Sequence, residues 1–166
     1  MIIERQSFKR GVKVGITFMV PAEIIASFIY IVTIAAAEEY LSLYWLVNTV
    51  AISLIYYIVI GVLLGFFFGI VYSIFYSINL LTRIAIVDSV FLSALAHIIL
   101  ILFPYVIMLI IFTYPPDLLS YLSDFSDRFV FILFAIFLSG VLIGVFRGNS
   151  LFKESTINAP EDNYDQ

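Results

Sequence analysis

The sequence predicts an all-α membrane protein, a bundle of four transmembrane helices built as two helical hairpins, with a short interfacial helix added. Three observations lead there. Of 166 residues, 63% are hydrophobic and only 12% charged, whereas a soluble domain carries about 25% charged residues. Four apolar runs exceed the length of about 18 residues that marks a membrane span, and the mean hydropathy is +1.13. Small residues also recur at four-residue spacing through Gly61, Gly65, Gly69, Ser73 and Ser77. Lipid tails are as apolar as leucine, so membrane helices associate by close backbone approach along such small strips.

Composition also narrows function. With no cysteine in the chain, disulfides, thiolate metal sites and cysteine nucleophiles are excluded. No basic surface is large enough to neutralise several phosphates, so nucleic acid is not expected as a partner. Metalloprotease, nucleophile-elbow and phosphate-loop motifs are all missing, and no catalytic role or cofactor is expected.

Residues 1–13 form a basic entry segment in which Arg5, Lys9 and Lys13 recur every four residues beside Arg10. As a helix it would lie in the inner headgroup layer; alternatively these cations are the ordinary flank of a first span. The four-helix domain is predicted over residues 14–147. Span one, about residues 14–37, is too long for the apolar region of a signal peptide and contains Pro21 and Glu23. The acidic pair Glu38-Glu39 leads through Tyr40, Tyr44 and Trp45 into span two, about residues 46–78. That run is well beyond the thickness of a hydrocarbon core of about 30 Å and must tilt or protrude. Tyr72 and Tyr76 are expected where it leaves the core. After a tight link ending at Arg83 comes span three, about residues 84–112, holding Asp88, His97 and Pro104.

Residues 117–127 can place Leu118, Tyr121, Leu122 and Phe125 on one face and acids on the other, predicting an interfacial helix with Asp117 as N-cap. Span four covers about residues 129–146, and residues 148–166 read as a flexible acidic tail. An even number of spans puts both termini on one side. Seven cations gather there, against only Arg128 opposite, so the positive-inside rule assigns both termini to the cytoplasm of a multi-pass cell-membrane protein.

Gly140-Val-Leu-Ile-Gly144-Val-Phe-Arg-Gly148 nearly repeats Gly61-Val-Leu-Leu-Gly65-Phe-Phe-Phe-Gly69. Each follows a helix with an internal proline, so the chain reads as two copies of one hairpin in parallel orientation, unless membrane composition alone produced the echo. The glycine strips are expected either to face each other inside the bundle or to join separate chains.

Two intramembrane groups stand out. Glu23 near the midplane must face protein or water, and Ser27 lies one turn on. It is either a proton or cation site or a protonated packing group. His97, the only histidine, sits at similar depth. It either relays protons with Glu23 or donates to a neighbour such as Ser93 one turn away. A lone histidine without cysteine makes a metal site improbable. Asp88 is expected to pair with Arg83 at the membrane surface. The leading functional expectation is a non-catalytic membrane subunit that assembles through its glycine strips with itself or a larger complex. The alternative is a small oligomeric transporter or channel with Glu23 and His97 on a proton or ion path.

Overall fold

The computed structural model describes residues 5–37, 43–78, 80–82, 84–112, 117–123 and 125–152. The Glu38-Glu39 turn, Arg83, Pro115-Pro116 and residues 153–166 of the expected tail lie outside them.

Every described element is helical. Helix α1 spans Arg5–Ala37, α2 Leu43–Ser77, α3 Ala85–Ile111, α4 Leu118–Ser123 and α5 Phe129–Phe152, with a 3-10 turn at Ser126–Arg128 before α5. Among the described residues, four helices, α1, α2, α3 and α5, are long and apolar enough to cross a membrane. Within hydrocarbon only a helix satisfies all its own backbone groups, so Gly and Pro residues that would break a soluble helix are retained.

Helix α1 packs along α2 and α3 along α5, while α1–α5 and α2–α3 contacts close the ring. Helices α1 and α3 therefore stand on one diagonal of the bundle. Arg10 donates through Nη1 to the carbonyl of Ser150 at 3.3 Å, which brings the start of α1 and the end of α5 to the same, terminal end. The opposite, loop end carries α4.

The glycine strips do not face each other across the bundle. Each packs on the helix preceding it in its own hairpin. Gly61, Gly65 and Gly69 lie against Val20, Ile16 and Val12 of α1, and a Cβ on Gly61 would stand 2.6 Å from the Val20 Cα. Gly140 and Gly144 lie against Val90 and Ile86 of α3, with corresponding approaches of 2.5 and 2.6 Å. Gly148 and Ser73 are buried as well, whereas Ser77 is exposed.

The second hairpin thus repeats the packing of the first. Ile86 and Val90 follow Ile16 and Val20 by 70 residues, and Gly140 and Gly144 follow Gly61 and Gly65 by 79. The buried face agrees: Met19, Ala22, Glu23, Ala26 and Ser27 on α1 correspond at the same 70-residue shift to Ser89, Leu92, Ser93, Ala96 and His97 on α3. The prolines do not share this register. Pro21 adjoins Val20, whereas Pro104 lies 14 residues beyond Val90, so they are not equivalent parts of a repeat.

Two boundaries differ from the sequence reading. Residues 5–13 are continuous with the first span as the opening turns of α1, in line with the alternative that their cations flank that span, and Phe8 is edge-on to Phe66 at 5.7 Å between ring centroids. Gly11 and Gly15 meet Gly69 and Gly65 backbone to backbone, so this hairpin carries small residues on both sides. The start of the expected tail continues α5 to Phe152, with Leu151 fully buried. Tyr72 is buried between the helices and donates its hydroxyl to the Leu151 carbonyl at 2.7 Å. Hydropathy reports where lipid ends, not where a helix ends, and packing here carries both helices onward.

The expected interfacial helix is present over Leu118–Ser123, and the 3-10 turn at Ser126–Arg128 takes the place of its expected last residues. Asp117 caps it, accepting from the Ser120 N–H at 2.7 Å. Asp88 accepts from the Thr82 N–H at 2.9 Å and the Thr82 hydroxyl at 2.7 Å. A carboxylate in the first turn of α3 also suits the positive end of the helix dipole.

Candidate functional site

The small residues Ala22 and Ala26 are buried on the inner face of α1, and Glu23 lies on this same face, whereas Pro21 is exposed. From the diagonal helix α3, His97 reaches the same point. Its Nε2 stands 2.8 Å from Glu23 Oε1, and both residues are at most 7% exposed. The other ring nitrogen, Nδ1, lies 2.8 Å from the backbone carbonyl of Ser93.

That second contact determines the chemistry of the first. A carbonyl oxygen has no hydrogen to offer, so Nδ1 carries the hydrogen and donates it. Nε2 is then either the acceptor of a proton held by a neutral Glu23 carboxyl or, in an imidazolium, the donor to a carboxylate. Both forms contain the same single proton between Nε2 and Oε1, and both have zero net charge. Zero net charge is what makes burial of an acid in the bilayer tolerable, because isolated charge there is expensive. Loss of that proton leaves one negative charge on the pair.

The hydroxyls nearby are turned away. Ser27 donates to the Ile24 carbonyl of its own helix at 2.8 Å. Ser139 donates to the Ile136 carbonyl at 3.1 Å, so the 2.7 Å contact between the Ser93 and Ser139 hydroxyls has Ser93 as donor. This fastens α3 to α5 directly beneath His97. Of the four intramembrane polar residues singled out in the sequence, Glu23 and His97 meet, Ser93 orients the imidazole through its carbonyl, and Ser27 touches neither.

The pair lines one end of a cavity of about 320 Å³, within the range of small-molecule sites. The cavity extends toward the loop end between α1, α2, α3 and α5. Its walls are mainly aliphatic, with the phenols of Tyr30, Tyr56, Tyr57 and Tyr121 interspersed. Arg128 lines its far margin, exposed to solvent, with its guanidinium carbon 5.8 Å from the Tyr30 ring centroid. Tyr121 is fixed by a 2.7 Å hydrogen bond to the Ile101 carbonyl. That carbonyl lies in the turn disturbed by Pro104, which has no N–H for Leu100 and crowds it sterically.

The sequence reading missed Tyr56, Tyr57, Tyr121 and Arg128 as members of this site. A usable signal existed for Tyr57, which stands four residues before Gly61 on the strip itself. For Tyr121 and Arg128 none existed, because their contribution depends on how the loop folds back.

Comparison with protein-family models, with curated proteins and with solved structures returns no match.

Proposed function

We propose that this protein is a small membrane transporter that binds a solute in its cavity and exchanges a proton at the Glu23–His97 pair. The observation that carries this reading is the 2.8 Å Nε2–Oε1 contact at one end of a roughly 320 Å³ cavity. A carboxyl–imidazole pair holding one shared proton is suited to accept and release it, and groups of this kind mark proton pathways in membranes. The terminal end carries Arg5, Lys9, Arg10, Lys13 and Arg147, and by the positive-inside rule it faces the cytoplasm of a cell membrane. The cavity then faces outward, with the pair as its inner floor.

The test is proton flux in liposomes containing only this protein. The wild-type chain should carry protons in the presence of its solute or down an imposed pH gradient, and Glu23→Gln should abolish the flux. Equal flux in wild type and Glu23→Gln contradicts the reading.

A second reading, the non-catalytic subunit, takes an altered form. Its glycine strips are occupied within each hairpin, so assembly with further copies or a larger complex would use the broad apolar outer faces of α2 and α3, where Ile52, Ile55 and Ile110 are largely exposed. In that case Glu23 and His97 act only as a pin across the bundle. Gentle extraction would recover a stoichiometric membrane partner, and Glu23→Gln would lower stability without altering flux.

A further inference from the structure

We infer that the cavity takes a small apolar monocarboxylate, a weak organic acid bound as its anion together with one proton; this rests on the proton-exchange reading of the Glu23–His97 pair. Three features of the cavity select this class. The walls are aliphatic and aromatic, so the body of the ligand is apolar. The volume of about 320 Å³ limits it to a small molecule. The charge balance selects the sign. Among the described residues, the charged or chargeable groups lining the space are Glu23, His97 and Arg128, besides the four tyrosines. With its shared proton the Glu23–His97 pair is neutral, which leaves, among the described lining residues, the positive charge of Arg128. One carboxylate matches that charge, and a guanidinium is shaped to hold it through two parallel hydrogen bonds.

The same balance couples the anion to the proton. While the pair holds its proton the cavity carries one net positive charge; once the proton leaves, the pair is negative and the cavity is neutral overall. The anion therefore binds more tightly to the protonated form, and by linkage the bound anion favours protonation. Anion and proton together form a load with no net charge, the form that crosses a bilayer core at least cost. An organic cation has the opposite preference: it would have to pass Arg128, whose guanidinium already covers a face of Tyr30, and it would bind only after the proton had left.

The test uses the full chain in nanodiscs and calorimetric titration with benzoate and hexanoate, alongside benzamide and benzylammonium as neutral and cationic analogues. Measurements between about pH 6 and 9 keep both acids ionised. Benzoate should bind at least about tenfold more tightly than benzamide, and Arg128→Gln should weaken it by about 10- to 100-fold, the usual range for a charge-assisted hydrogen-bonded contact. Arg128→Lys should recover part of the loss. Wild-type affinity for benzoate should fall as pH rises, and Glu23→Gln should flatten that dependence. Arg128 is exposed at the end of the bundle, so its replacement leaves the hairpins intact. Failure of both acids to bind, equal affinity for benzamide, or preference for benzylammonium overturns the assignment. If any of these occurs while Glu23→Gln still abolishes proton flux, the substrate class is wrong and the proton site stands. Carboxylate binding with unaltered Glu23→Gln flux has the reverse meaning.

Discussion

The terminal half and the loop half of the bundle are made of similarly apolar sequence, yet they do opposite things with it. In the terminal half glycines on α2 and α5 face β-branched residues on α1 and α3, and helix backbones touch. Toward the loop end the strips stop. Four residues before Gly61 stands Tyr57, and four before Gly140 stands Ile136, so large side chains occupy the positions that glycine held. The helices part there, and the cavity fills the gap. Glu23 and His97 lie at the boundary, anchored on the closed side and lining the open one. The change from small to bulky residues along these helices thus coincides with the change from close backbone contact to a cavity.

Breaking the closed half should have the largest effect. At Gly65 an added Cβ would collide with the backbone of Ile16, so Gly65→Leu should cost more than about 3 kcal/mol, the upper range for overpacking. It would appear as loss of monodisperse protein after extraction. Val62→Leu, on the exposed face of the same helix, should extract like wild type. Next in size is His97→Ala, which strands a buried carboxyl and should cost about 3 kcal/mol in denaturant unfolding. Glu23→Gln should cost less, since the amide still offers a donor to Nε2.

Ser93→Ala sharpens the contrast within α3. It removes the hydroxyl link to Ser139 but keeps the carbonyl that orients His97, so the expected loss is about 0.6 kcal/mol, typical of an interhelical hydrogen bond in a membrane. The smallest effect is at the loop end. Asp117→Ala removes the cap on the Ser120 N–H and should cost about 1 kcal/mol or less. Faster hydrogen exchange at that amide, with unchanged global stability, is the readout.

Much of this was legible in the sequence, because lipid imposes strict rules. The spans, the hairpin order and the Asp117 cap follow from run length, loop length and capping chemistry. The convergence of Glu23 and His97 was foreseeable in depth, since each sits at a similar distance into a parallel helix. What sequence could not give was the diagonal placement of α1 and α3, which decides that their side chains meet across the axis instead of between neighbours. The partner of each strip was also hidden. Gly11 lies among cations that read as a headgroup segment and Gly15 at the start of span one, yet both belong to the packed face of α1. The equivalence of Ser27 with His97 and of Glu23 with Ser93 emerges only from the contact register, because the sequences around these positions have diverged.

Since His97 is the only histidine, selective nitrogen-15 labelling reports on it alone. That spectrum is the most direct measurement of a proton shared with Glu23 and oriented by the Ser93 carbonyl. The account predicts a hydrogen on Nδ1, a proton shared between Nε2 and Glu23, and an Nε2 signal that Glu23→Gln alters while the Nδ1 signal stays the same. A neutral imidazole with its hydrogen on Nε2 and a bare Nδ1, or an Nε2 signal indifferent to Glu23→Gln, would contradict it.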